Sequence, residues 1–184
     1  MLSEKMNEAL NVQLNKEIYS AYLYMSMSAY SSYIGLDGFA NWFMIQYQEE
    51  MTHAMKIYDY INDHGNQVKL MKIPQPPTTF DSALDMFEKT LEHEKFVTNS
   101  INELVDLAIE EKDHATYTFL QWYVSEQIEE ESNDNEILSK LKLMGNDGSG
   151  MYMLNKELSQ RVFVPEYTSK ALSGSQNQTD NKSQ

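Results

Sequence analysis

Glu49-Glu50-Met51-Thr52-His53 decides how the rest of this chain is read. Glu50 and His53 stand three residues apart, so both lie on one face of a helix. The same face carries Phe39, Phe43, Gln46 and Ile57. A carboxylate and an imidazole therefore occupy positions where core residues belong. Burying a carboxylate is costly unless it is paired or bound to a cation.

Three other helix-length stretches repeat the pattern. Leu10, Leu14, Glu17, Ala21 and Tyr24 follow one another at steps of four and three, which lays them along one face. Leu84, Phe87, Leu91, Glu94, Thr98, Ile101, Val105 and Ala108 make a second such stripe. Leu120, Tyr123, Gln127, Glu130, Ile137 and Leu141 make a third. One glutamate in an apolar stripe ordinarily marks a slipped register or a helix edge. Four of them, one per helix and each near its middle, can converge, because the middles of antiparallel helices meet at one level. The pattern points to a cation inside a four-helix bundle.

The punctuation agrees with an all-α chain. Ser3 is a candidate N-cap for the first helix, and Asp37, Asp81 and Asp113 for the next three. The first helix should end before Gly35 and the second near His64-Gly65-Asn66. Lys72 to Pro77 holds three of the four prolines, so that stretch is extended. A connection of this length suits a crossover that runs back along a bundle. Met144 to Gly148 reads as a turn, and Met151, Leu154 and Leu158 mark a short fifth helix over about Ser149 to Arg161. Residues 1–164 are expected to form one domain. Residues 165–184 are polar and are expected to be a structureless tail.

Composition narrows the chemistry. The 184 residues contain no cysteine, which excludes disulfides, thiolate zinc sites and iron–sulfur clusters. Any transition metal here must use oxygen and nitrogen donors. The formal net charge is −14, which argues against nucleic acid as a partner and favours cations. No apolar run reaches the roughly 20 residues of a membrane span. The start, Met1-Leu2-Ser3-Glu4-Lys5, has no apolar signal core, so a cytoplasmic location is expected.

Taken together, Asn15 to Tyr24, Glu49 to His53, Glu92-His93-Glu94 and Glu126 to Glu130 resemble the bacterial and archaeal non-haem ferritins. The resemblance runs from about Met1 to Arg161. It implies a ferritin-like four-helix bundle with one long crossover and a short fifth helix, in which the Glu-x-x-His of Glu50 and His53 belongs to a carboxylate-bridged paired-metal site. It implies that Glu17, Glu50 and His53 hold one iron, with Glu50 bridging to a second iron held by Glu94 and Glu130. Gln127 would sit beside the second iron. Glu49, Glu126 and Glu129, with Glu130 shared, would form a third, inner iron site. Tyr24 would lie next to the centre, hydrogen-bonded to a ligand. The implied activity is oxidation of ferrous iron by dioxygen or hydrogen peroxide, with storage of the ferric mineral in a hollow homo-oligomer of about 24 subunits. Oxygen donors and one imidazole suit ferrous iron and hold the ferric product more strongly still.

The chain departs from related patterns in ways that matter. Bacterioferritins carry a second Glu-x-x-His where Glu130 stands here. Met51 matches their haem-ligating methionine, but in a chain with 12 methionines it reads as packing, and haem is not expected. Tyr117 and Leu120 occupy the places where animal ferritins line an acidic access channel. A rubrerythrin-like peroxidase would need cysteines for its electron-transfer domain. A DNA-protecting mini-ferritin would lack the fifth helix. A purely structural bundle leaves the striped carboxylates unexplained.

Overall fold

The Ser3 side chain accepts a hydrogen bond from the Met6 N–H at 2.9 Å and opens α1 (Glu4–Tyr33). The helix ends at Ile34, and Gly35 takes a positive φ of 78° to turn the chain into α2 (Asp37–Asp63). In the computed structural model, which describes residues 1–165 and 167–173, α3 (Ala83–Glu110), α4 (His114–Met144), α5 (Gly148–Leu158) and the single turn α6 (Lys170–Ser173) follow. The described residues contain no strand. The all-α expectation holds, including the long connection between α2 and α3 and the short fifth helix.

Two caps differ from expectation by one position. Asp37 is the first helical residue of α2 rather than its cap, and Leu36 precedes it with no side-chain bond to the helix. The cap comes from elsewhere in the chain. Asn155 of α5 accepts hydrogen bonds from the N–H groups of Gly38 (2.8 Å) and Phe39 (3.3 Å) through its Oδ1. For α3 the cap is Ser82, which accepts from Asp85 N–H at 3.0 Å. Asp81 lies just outside and donates its own N–H to Asp85. Asp113 caps α4 as expected, accepting from Thr116 N–H at 3.0 Å.

The helices pack as two pairs, α1 along α2 and α3 along α4, with α1 also against α3 and α5 across the ends of α2 and α4. The crossover from α2 to α3 is held to α1 by buried and half-buried polar side chains. Asn11 donates to the Gln67 carbonyl and accepts from Lys69 N–H. Asn15 repeats this one turn on, with the Lys69 carbonyl and Met71 N–H. Ser26 and Tyr30 then donate to the carbonyls of Pro77 and Phe80. An extended segment has no internal partners for its backbone, and these rungs supply them.

Two apolar clusters fill the bundle. One gathers Met27, Phe39, Trp42, Phe43, Phe87, Ile137, Leu154 and Leu158. The other gathers Met6, Leu10, Ile57, Ile61, Ile101, Leu104, Leu120 and Tyr123. On every long helix the striped glutamate falls between residues of the two clusters. The carboxylates therefore form a polar layer with hydrocarbon on both sides.

The stretch after Pro165 was expected to be structureless. Residues 166 and 174–184 of it lie outside the described residues. Between them, Tyr167 donates its hydroxyl to Asp59 at 2.6 Å, and the Lys170 N–H donates to the same carboxylate oxygen at 2.8 Å. Asp59 is buried, and a buried carboxylate needs such donors; these bonds hold this part of the chain against α2. No helix among the described residues is long and apolar enough to cross a membrane.

Candidate metal centre

Glu17, Glu50, His53, Glu94 and Glu130 are all buried, none more than 4% exposed. One ligand atom from each of Glu17, Glu50 and His53 lies within 4.8 Å of the others. His53, Glu126 and Glu130 make a second group of the same size, so His53 stands between two clusters of oxygen donors.

Each carboxylate is aimed by a neighbour. Gln13, one turn before Glu17, donates to it at 2.7 Å, and its own Oε1 accepts from Ser100 of α3. Gln46 donates to Glu130 at 2.9 Å. Gln127 donates to Glu94 at 3.1 Å, and the Tyr24 hydroxyl donates to the other oxygen of Glu94. Tyr123 donates to the His53 carbonyl at 2.8 Å and ties α4 to α2 at this level. Glu50 Oε2 is the exception. It has no hydrogen-bond donor, and His53 Nδ1 stays 3.5 Å away. A buried carboxylate oxygen without a donor fits a cation as its missing partner.

The electrostatics follow from burial. Burial lifts the Glu17 carboxyl to about 7, with the Gln13 hydrogen bond opposing it. Glu50 is pushed well above the ordinary carboxylate range by burial and then by Glu94, Glu17 and Glu130. Glu130 is pushed up by burial, Glu94 and Glu49. Glu94 rises by burial, restrained by its bonds from Tyr24 and Gln127. Burial, then Lys56, lowers His53 to about 3, so the imidazole is neutral and able to coordinate a metal. Without a metal the site holds protons; with one, it exchanges them for the ion.

That exchange makes a stability prediction. Glu17 has a folded-state pKa near 7 against 4.5 for the free group. Between those values the folded protein binds more protons than the unfolded chain, so its stability falls as pH rises across that window. The span corresponds to about 3 kcal/mol. Glu17→Gln removes the ionisation and keeps the acceptor for Gln13. In metal-free protein the variant should melt above the parent by a margin that widens from pH 5 to 7 and then levels off. Thermal melts at fixed ionic strength read this directly; a margin independent of pH would contradict it.

The remaining expected residues lie to one side. Glu49, Glu126, Glu129 and Glu130 line a small pocket of about 40 Å³ together with His53 and Arg161. Glu129 is exposed, and Glu49 and Glu126 are half-buried. Glu49 is met by Arg161, whose Nη2 lies 2.6 Å from its Oε2.

Three features escaped the sequence reading. Asp134 is fully buried one turn after Glu130, and neither carboxylate oxygen has a donor. Burial, then Glu94, raises it to about 8, with Arg161 opposing. The stripe as read stepped from Glu130 directly to Ile137, and the vacant step of four and three falls on Asp134. Arg161 carried no signal, because its partner lies 112 positions away. His93, which lies off the carboxylate stripes, is half-buried, 2.7 Å from Ser20 Oγ and edge-on to Tyr19 and Tyr24.

Comparison with known proteins follows the same lines. The ferritin-like domain family matches residues 7–144. A bacterial non-heme ferritin of Campylobacter jejuni is 46% identical over 156 residues, covering 85% of this chain and 93% of that protein. One from Escherichia coli is 43% identical over 159 residues, covering 86% and 96%. An open-pore ferritin from the hyperthermophilic archaeon Archaeoglobus fulgidus superimposes with a TM-score of 0.87 at 54% identity, covering 88% of this chain and 100% of its own. An engineered closed form of that ferritin gives 0.88, again at 54% identity, covering 89% and 100%.

Proposed function

Because the chain belongs to the ferritin family, we propose that it takes up ferrous iron, oxidises it inside the bundle and stores the ferric product in a hollow shell of about 24 copies. The carrying observation is the buried layer of Glu17, Glu50, His53, Glu94 and Glu130, with the donorless Glu50 Oε2 at its centre. In this reading Glu17, Glu50 and His53 take one ferrous ion, and Glu50, Glu94 and Glu130 take the second. Each ion loses one electron, and dioxygen or hydrogen peroxide accepts the pair. Tyr24 and Gln127 hold the Glu94 carboxylate through both of its oxygens. The pocket of Glu49, Glu126, Glu129 and Glu130 receives a third iron on the way to the interior. Residues 1–164 form the working unit, 165–184 an appended tail, and the protein acts in the cytoplasm without haem.

The competing reading is a closed di-iron enzyme acting on a small substrate. Size exclusion with aerobic addition of ferrous iron separates the two. Storage requires a particle of roughly 24 chains that oxidises and retains hundreds of iron atoms, far beyond the two or three per chain that the ligands can hold. Uptake that stops at two or three per chain would rule storage out and leave the enzyme.

A further inference from the structure

Five buried side-chain polar atoms among the described residues have no hydrogen-bond partner: Gln46 Oε1, Glu50 Oε2, both carboxylate oxygens of Asp134, and Arg161 Nη1. The Glu50 oxygen belongs to the paired site, and Gln46 is already anchored through its other atom on Glu130. Arg161 and Asp134 remain, a guanidinium with an unbonded N–H and a carboxyl with neither oxygen bonded. The field of Arg161 acts on Asp134, yet no hydrogen bond joins them. Buried polar groups are ordinarily satisfied, and these two are left with unbonded atoms.

The guanidinium is held by Glu49 instead. The Arg161 guanidinium spends Nη2 on Glu49 Oε2 at 2.6 Å and lies over the Trp42 ring with its carbon 4.8 Å from the centroid. Arginine presents a planar fork with several donors, so it can exchange one carboxylate for another while staying stacked on an aromatic face. Glu49 is also one of the four carboxylates in the pocket that Arg161 itself lines. A cation entering that pocket meets a Glu49 carboxylate whose Oε2 the guanidinium already holds.

Resting on the reading of that pocket as the third iron site, we infer that Arg161 is a built-in competitor for it: the guanidinium holds Glu49 while the position is empty and passes to Asp134 when iron takes the Glu49 carboxylate. Arg161 is thus a positioning residue. It lowers the affinity of the third position, so iron there stays mobile toward the interior. Asp134 gives the displaced guanidinium a partner, so displacement does not leave this half-buried charge unpaired.

The test counts redox-inert zinc ions on the full-length assembly by titration calorimetry. The parent should bind two ions tightly and a third more weakly. Arg161→Gln should tighten the third by about tenfold or more, as expected for loss of a competing charge-assisted bond, and leave the first two unchanged. Asp134→Asn should weaken the third. In the Arg161→Gln background, Asp134→Asn should then do nothing, whereas a plain field effect of Asp134 on the pocket would persist; persistence overturns the exchange. If Arg161→Gln fails to assemble, Arg161→Lys keeps the charge and loses the fork, and it should still tighten the third ion. Equal third-ion affinity in parent and variant, with that ion lost in Glu49→Gln, overturns the role of Arg161 alone. No third ion in either protein, or one that survives Glu49→Gln, overturns the pocket reading and this inference with it.

Discussion

Glu50→Ala is expected to abolish the rapid phase of ferrous iron oxidation, lowering the initial rate by about a hundredfold or more. Glu50 is the carboxylate on which the others converge. It shares a group within 4.8 Å with Glu17 and His53, and its proton is held up by burial and by the charges of Glu94, Glu17 and Glu130 together. Within the layer, Glu50 is the glutamate with a fully buried oxygen left without a hydrogen-bond partner. Removing it breaks the link between the two proposed iron positions, and a step that needs two electrons at once then has only one ion to draw on. Stopped-flow absorbance under air, with two ferrous ions added per chain, reads the phase directly. A companion variant, Glu129→Ala, alters an exposed carboxylate of the neighbouring pocket. It should leave the first burst intact and change later turnover and stoichiometry. Burst kinetics surviving Glu50→Ala unchanged would remove Glu50 from the bridging position. The metal-free variant should also be no less stable than the parent at neutral pH. It deletes a group that is costly to bury, although the cavity it leaves offsets part of that gain.

How far the sequence could be read depended on whether a side chain's partner was near in the chain. The stripes on α1, α2 and α4 came through intact, because Leu14, Glu17 and Ala21, or Gln46, Glu50 and His53, need only the 3.6-residue period to be placed. On α3 the stripe was one position off at several turns. Leu84, Leu91, Thr98 and Val105 are half-buried, while Ala83, Thr90, Val97 and Leu104 are buried. That helix packs against both α1 and α4, so its covered face is wider than one stripe and centred differently. Glu94 lies on both versions and was found regardless. Asp134 was missed for a different reason. Its neighbours include Glu129, Glu130, Glu131 and Glu136, and an aspartate in such company reads as part of a solvated face. Only the gap in spacing before Ile137 marks it. The Arg161–Glu49 pair and the Asn155 cap on α2 join segments more than a hundred residues apart, and no local rule reaches them.

Gly38→Ala should destabilise the protein more than any other single methyl addition at a described glycine, because the space it would fill is already occupied by backbone. A Cβ at Gly38 would sit 1.6 Å from the Asn155 carbonyl oxygen and 2.6 Å from its carbon. A flexible side chain could yield; a carbonyl inside α5 cannot move without its helix. Either α5 lifts away or the first turn of α2 unwinds, and both outcomes remove the Asn155 cap from Gly38 and Phe39. Overpacking alone costs about 1–3 kcal/mol, and a lost cap adds about 1 kcal/mol. Lifting α5 would further expose Leu154 and Leu158, now buried in the cluster around Phe39 and Trp42, at roughly 1.5–3 kcal/mol each. In a domain of this size 1 kcal/mol moves the melting point by about 2–4 °C, so a loss on the order of 10 °C or more is expected. Asn155→Ala is the control that separates the causes. It removes the cap without the clash and should lose only the smaller share. If Gly38→Ala melted with the parent, the close approach of α5 to α2 would be wrong. The route by which Arg161 is delivered to Glu49 and Trp42 would then be wrong with it, since the segment carrying Arg161 leaves directly from the end of α5.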